Sequence, residues 1–169
     1  MTKLRLAGVI RESIVDGPGI RMTVFVQGCP HHCKGCHNQQ TWDFDGGYDS
    51  TCEKILEEAK KDKLIKGLTF SGGEPFEQAA SLAILAREAK KEGLDIFCYT
   101  GYTYEYLVEH FDKRPEFKEL LELCGWLVDG KFILEEKSLM LHFRGSKNQR
   151  IIDVQKSLKE NKVVLSDLN

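Results

Sequence analysis

The first residues of the 169-residue sequence lack the continuous apolar core of a signal peptide. The opening stretch, MTKLRLAGVIRES, is interrupted by Lys3, Arg5 and Arg11. It has no continuous apolar core and is too short to span a membrane, so a cytoplasmic protein without membrane attachment is expected. Excess charge is also lacking. A formal net charge of −2 excludes nucleic-acid binding driven by bulk positive charge. No internal repeat, low-complexity tract or linker is visible, so one domain over residues 1–169 is expected. A hydrophobic content of 41% and a charged content of 30% suit a soluble globular protein with a real core.

A disulfide framework is not expected in a chain read as cytoplasmic. The six cysteines divide into a crowded trio, Cys29, Cys33 and Cys36, and three scattered ones, Cys52, Cys98 and Cys124. The scattered cysteines read as small core hydrophobes. The trio reads as a metal or catalytic cluster.

The chain alternates strand and helix signals. Leu4 to Ile10 and Ile20 to Gln27 read as strands, separated by the turn Asp16-Gly17-Pro18-Gly19. Ser50 and Glu53 are spaced as a capping box, and Cys52, Ile55, Leu56 and Ala59 form one helical face. Leu64 to Phe70 reads as a strand running into Ser71-Gly72-Gly73-Glu74. A helix over Glu77 to Glu92, a strand over Leu94 to Tyr99, and a helical face of Tyr104, Leu107, Val108 and Phe111 follow. Pro115 breaks that helix, a short one covers Glu116 to Leu123, and Trp126 to Val128 is a strand ending at Asp129.

This rhythm predicts an α/β fold with a parallel sheet. An eight-unit barrel takes about 250 residues, so the expectation is a partial, open TIM-type barrel of parallel strands and helices, with a doubly wound sheet as runner-up. Sites in either fold form at the C-terminal ends of strands. Four polar or glycine-rich segments fall at such ends: Cys29 to Asn38, Ser71 to Glu74, Tyr99 to Gly101, and Asp129 to Lys131.

The cysteine loop reads Cys29-Pro30-His31-His32-Cys33-Lys34-Gly35-Cys36-His37-Asn38 and lies at the C-terminal end of an early strand. Three thiolates on one loop can ligate three irons of a [4Fe-4S] cubane. Electron-transfer clusters have a fourth protein ligand. No fourth cysteine is local here, which leaves one iron open to a substrate. The alternative is a zinc-stabilised Cys₃His binding module using His31, His32 or His37, although the usual second ligand pair is missing. Gly72 and Gly73 let backbone approach a ligand closely. Glu74 offers a carboxylate to a ligand ammonium, or is a solvated residue after a glycine turn. Thr100 either contacts a ligand or begins the turn before the next helix. Asp129 either holds a ligand or cation, or ends its strand. Arg144, Lys147 and Arg150 form a basic loop that is either solvated surface or a contact for a partner or a ligand carboxylate.

The CPHHCKGC spacing followed by SGGEPF resembles the signature of the radical S-adenosylmethionine superfamily. VDGPGIRMTVFVQGC resembles the N-terminal signature of its glycyl-radical activating enzymes. Within that group CHNQQTWD, LVDGKF and RGSKNQRIIDVQ resemble the activases of anaerobic ribonucleotide reductases, and RGSKNQR separates them from activases of the pyruvate formate-lyase type. The resemblance implies one [4Fe-4S] cluster per chain on Cys29, Cys33 and Cys36. S-adenosylmethionine would be held by Gly35, Cys36, His37, Gly72, Gly73, Glu74 and Thr100. No side chain would serve as acid or base, because the chemistry is borne by the cluster. It further implies two partners: the large glycyl-radical subunit of the anaerobic ribonucleoside-triphosphate reductase, and a reducing protein such as flavodoxin or ferredoxin. Many superfamily members carry an aromatic residue just before the third cysteine. Gly35 stands there instead, so adenine must be met by backbone at Gly35 to His37 and by other residues.

Overall fold

The computed structural model describes residues 2–169. Seven strands form one sheet in the order β3-β1-β2-β4-β5-β6-β7. The strands are β1 (Lys3–Ser13), β2 (Arg21–Val26), β3 (Tyr48–Thr51), β4 (Gly67–Gly72), β5 (Asp95–Tyr99), β6 (Trp126–Asp129) and β7 (Arg150–Asp153). The helices are α1 (Cys52–Lys60), α2 (Ala79–Lys91), α3 (Tyr104–Glu109), α4 (Pro115–Leu121) and α5 (Val154–Glu160).

The centre of the sheet is parallel, through β2/β4, β4/β5 and β5/β6. These strands follow one another in chain order with no reversal, which is the winding of a barrel and not of a doubly wound sheet. The sheet stays open, with β3 and β7 as its edges. It is also less parallel than the sequence predicts. β1 pairs antiparallel with both β2 and β3, and β7 pairs antiparallel with β6. A helical crossover is needed only where neighbours run parallel. The β1–β2 connection is the short Asp16-Gly17-Pro18-Gly19 turn, so those two strands run opposite ways.

Alternation along the strands sorts the two faces. Val24, Val26, Phe70, Ile96, Cys98 and Leu127 enter the main core under the helices, with Leu82, Leu85 and Ala86 of α2 and Leu120 of α4. Cys52, Cys98 and Cys124 are buried in that core as free thiols, as their scattered positions predict. Phe97, Val128 and Ile151 form a smaller cluster with Tyr99, Trp126 and Phe143. Ile10, Phe25, Ser71 and Tyr99 line a cavity at the open side of the sheet.

Local details differ from the predicted ones in informative ways. The cap of α1 is Thr51, whose side chain accepts from the Lys54 N–H, and not Ser50. The Glu53 carboxylate instead accepts from the Thr2 N–H at 2.8 Å, fastening the start of the chain. Pro115 is the first residue of α4, where its missing N–H costs nothing. Among the described residues no helix is long and apolar enough to cross a membrane.

Candidate functional site

Because β2, β4, β5 and β6 are parallel, their C-terminal ends share one edge of the sheet. Val26 lies opposite Gly72, and Tyr99 opposite Val128. The four segments predicted at strand ends therefore converge. Cys29, Cys33, Cys36, His37, Gly72, Gly73 and Thr100 all line one cavity of about 580 Å³.

Glycine at position 73 follows from the close approach of two strand ends. A Cβ there would lie 2.4 Å from the Gly28 carbonyl oxygen. The Gly73 N–H donates to Val26 O and the Glu74 N–H to Gly28 O, each at 2.8 Å, so β4 is zipped to the base of the cysteine loop. Gly35 has φ +77, and a Cβ on it would meet the Leu134 side chain at 2.8 Å. Leu134 occupies the space beside Gly35, and Phe132, two positions before it, lines the cavity.

The cysteine loop is braced by its own histidines. His32 stacks on Trp42 with ring centroids 4.5 Å apart and planes 8° from parallel. His37 lies tilted against Phe132 at 5.4 Å. His31, with a side chain only 6% exposed, places Nε2 2.6 Å from Glu74 Oε1 and meets Tyr102 edge-on. Among the described residues no group of three or more His, Cys, Asp or Glu is placed to hold a single metal ion. The Cys36 N–H donates to Cys33 O, and the Asn38 N–H donates to Cys36 Sγ at 3.4 Å. Burial pushes the Cys29 thiol up to about 11, and burial also raises Cys33. Iron ligation would have to displace those protons, as thiolate coordination does. Three thiols facing one cavity beside an open sheet suit a group larger than one ion.

Glu74 is placed differently from the sequence expectation. Its side chain is fully buried and it does not line the cavity. Oε1 accepts from the Gly101 N–H at 2.8 Å, Oε2 accepts from the Phe76 N–H at 3.0 Å, and the Thr100 hydroxyl lies within 3.0 Å of both oxygens. With His31 included, the carboxylate ties together the cysteine loop and the ends of β4 and β5. Its acceptor capacity is spent on protein donors.

Asp129 is likewise occupied. It caps α3 by accepting from the Tyr104 N–H at 2.8 Å, and it pairs with Arg150 through Nε at 3.0 Å and through Nη2. Arg150 also reaches Glu105 at 2.6 Å, so it is an internal clamp and not a solvated loop residue. Lys147 is exposed, whereas Arg144 lines the cavity. Sequence reasoning missed Trp42, Phe132 and Phe143 as lining residues. The aromatic character of LVDGKF and LHF is the only signal that could have suggested the last two.

An open α/β half-barrel with three cysteines gathered on one strand-end loop is the frame of an iron–sulfur enzyme. A family model described as the 4Fe-4S single cluster domain matches residues 15–152. The chain is 42% identical over 146 residues to the anaerobic ribonucleoside-triphosphate reductase-activating protein of Vibrio cholerae, covering 82% of this chain and 90% of that one. It is 34% identical to the protein of that name from Escherichia coli K12 over 144 residues, covering 80% and 90%. It is 35% identical to that of Enterobacteria phage T4 over 148 residues, covering 81% and 86%. The chain belongs to the family of anaerobic ribonucleoside-triphosphate reductase-activating proteins, and it carries a 4Fe-4S single cluster domain. Among solved structures, QueE from Escherichia coli aligns with a TM-score of 0.49 and 17% identity, over 61% of this chain and 55% of that one.

Proposed function

We propose that this protein activates the anaerobic ribonucleoside-triphosphate reductase by generating a glycyl radical on its large subunit. The observation that carries the reading is the convergence of Cys29, Cys33 and Cys36 with Gly72, Gly73 and Thr100 on one cavity at the strand ends. In this reading the three cysteines hold one [4Fe-4S] cluster per chain. When bound, that cluster supplies one electron to the sulfonium of S-adenosylmethionine, giving methionine and a 5′-deoxyadenosyl radical that takes a hydrogen atom from a glycine Cα.

The chain's own residues bind, orient and shield. Backbone at Cys36 and His37 and at Gly72 and Gly73, with Thr100, lines the S-adenosylmethionine site, whereas Gly35 lies against Leu134 and is not among the cavity's lining residues, and Phe132 supplies the aromatic surface that position 35 lacks. Glu74 acts from beneath, fixing His31, Thr100 and Gly101 relative to one another. No proton transfer by a side chain is required. Residues 1–169 act as one unit, and a cytoplasmic location suits thiols that must stay reduced for iron.

A protein substrate suits the shape of the site. The cavity is open, and its rim is apolar yet exposed: Val15 is 68% and Leu139 89% exposed, with Ile14 at 73% and Met140 at 87% beside them. Exposed apolar residues grouped at the mouth of a site mark a surface that another molecule covers. A reducing protein such as flavodoxin or ferredoxin is the second partner. The test is anaerobic reconstitution with iron and sulfide, followed by reductant and S-adenosylmethionine. The protein should turn brown and accumulate 5′-deoxyadenosine. A colourless protein with stoichiometric zinc and no cleavage contradicts the reading and favours the binding module. Activation of pyruvate formate-lyase in place of the reductase would move the chain to another activase group with the reaction unchanged.

A further inference from the structure

The edge of the sheet at β1 is covered along only part of its length. β3 pairs with Lys3 to Leu6 and goes no further, whereas β1 runs on to Ser13. On its other side β1 stays paired with β2 as far as Ser13. The Val26 carbonyl accepts from the Gly73 N–H, on the β4 side. Main-chain groups alternate sides along a strand, so Phe25 and Thr23 face β1 and bond their partners Gly8 and Ile10. Val9 and Arg11 therefore turn their N–H and C=O groups away from β2. Among the described residues no main-chain or side-chain group bonds them there. A Cβ on Gly8 would find no atom within 4 Å, so the space beside this stretch is open.

This bare edge is part of the mouth of the cysteine cavity. Ile10 and Val15 line the cavity from the β1 side, and Leu139 and Leu141 line it from the segment after β6. Ile10, Ile14 and Val15 are exposed apolar residues. An unpaired strand edge is a template for another chain, and proteins normally cover it or guard it with charge. The Arg11 guanidinium is drawn toward α1 by Glu58 at 3.3 Å, which leaves the edge itself clear.

We propose that the glycine-bearing segment of the reductase docks here as an added strand, bonded main chain to main chain with Val9 and Arg11. The proposal rests on the activase reading above and adds to it the surface that receives the protein substrate. An added strand lies about 4.8 Å from β1, and alternate residues of it face the same cavity as Ile10. Any other residue at such a position points its side chain into the cavity. Glycine has a hydrogen on Cα in that place, with no Cβ between it and the site where the radical forms. Strand addition draws its affinity from main-chain hydrogen bonds, so it needs no particular side chains beside the glycine. A second copy of this chain on the same edge would instead close the mouth of the cavity.

Amide hydrogen exchange tests the proposal on cluster-loaded protein with S-adenosylmethionine and no reductant, with and without the reductase large subunit. Exchange at Val9 and Arg11 should be slowed about tenfold or more by the reductase. Gly8 and Ile10, already bonded to β2, should change less. Arg11→Pro removes one outward N–H at a strand edge, where proline is tolerated. It leaves an incoming carbonyl without a donor, so it should weaken reductase binding by about tenfold and slow glycyl-radical formation at limiting reductase. Reductant-driven S-adenosylmethionine cleavage without reductase should be unchanged. Arg11→Ala keeps the N–H and loses only the contact with Glu58, so it should bind and activate as the wild type does. Circular dichroism and iron content check the fold, and if Arg11→Pro does not fold, exchange in the wild type decides alone. Unchanged exchange at Val9 and Arg11 in a complex that does form overturns the proposal, and so does an equal loss in Arg11→Pro and Arg11→Ala. Slowed exchange that needs no reductase and grows with protein concentration also overturns it, in favour of a second copy. If the wild type neither binds the reductase nor gives it a radical, the activase reading itself has failed, which is a distinct result.

Discussion

Replacing Glu74 by Gln separates a structural knot from a ligand contact. The two oxygens of Glu74 accept from Gly101 N–H on one side and Phe76 N–H on the other, with Thr100 between them and His31 beside Oε1. An amide has one oxygen and one NH₂. Whichever way the Gln is turned, its NH₂ faces a backbone N–H that had an acceptor before. That buried donor is left unmade, at about 1–3 kcal/mol, and the remaining bonds lose their charge assistance. A total of roughly 2–4 kcal/mol is expected. At about 2–4 °C per kcal/mol for a chain of this length, the melting temperature should fall by roughly 4–16 °C. The assay is thermal unfolding of cluster-free protein under anaerobic, reducing conditions with no ligand present. A melting temperature within about 1 °C of the wild type, combined with weakened S-adenosylmethionine binding, would refute the reasoning. It would show that the carboxylate serves the ligand directly.

Three further outcomes are expected. Cys29→Ala, Cys33→Ala or Cys36→Ala should each abolish cluster assembly, read as iron and sulfide content, while Cys52→Ala, Cys98→Ala and Cys124→Ala should assemble the cluster in a less stable fold, since those thiols pack in the core. Cluster-free protein should lose stability as pH rises from 9 toward 11, because burial holds Cys29 up to about 11 while the unfolded thiol ionises near 9. Burial raises Cys33 and Cys52 in the same sense. The unfolded state then releases its protons first, and urea denaturation across that window checks the sign. Leu139→Asp combined with Met140→Asp should leave cluster content and reductant-driven S-adenosylmethionine cleavage unchanged while slowing reductase activation severalfold. Equal activation rates would remove the apolar rim from the docking surface.

The central strands and the helices packed on them were legible in the sequence because their apolar residues repeat with the right period over several turns or strand positions. β2 and β4 are buried along nearly their whole length, because both of their faces are covered. β3 is the polar tetrapeptide Tyr-Asp-Ser-Thr and β7 is only Arg150–Asp153, so neither carries a period to read. Their pairing is decided by β1 and β6, which lie far away in sequence. The same distance hid the role of Glu74. Its bonds to His31 and Gly101 span 43 and 27 residues, and no local pattern announces them. The basic loop looked uniform, yet folding gave its members three fates. Arg150 became a clamp, Lys147 stayed in solvent, and Arg144 entered the cavity. The cysteine spacing and the glycine pair were legible because they report backbone constraints within a few residues.

Hydrogen transfer from the partner's glycine tests the central claim most directly. Reductase carrying glycine deuterated at Cα is incubated anaerobically with the reduced, cluster-loaded protein and S-adenosylmethionine. The 5′-deoxyadenosine formed is then analysed by mass, alongside the electron paramagnetic resonance spectrum of the reductase. The account predicts deuterium in 5′-deoxyadenosine, a glycyl signal on the large subunit, and the loss of both with Cys33→Ala. Unlabelled 5′-deoxyadenosine with a radical-free reductase would contradict it.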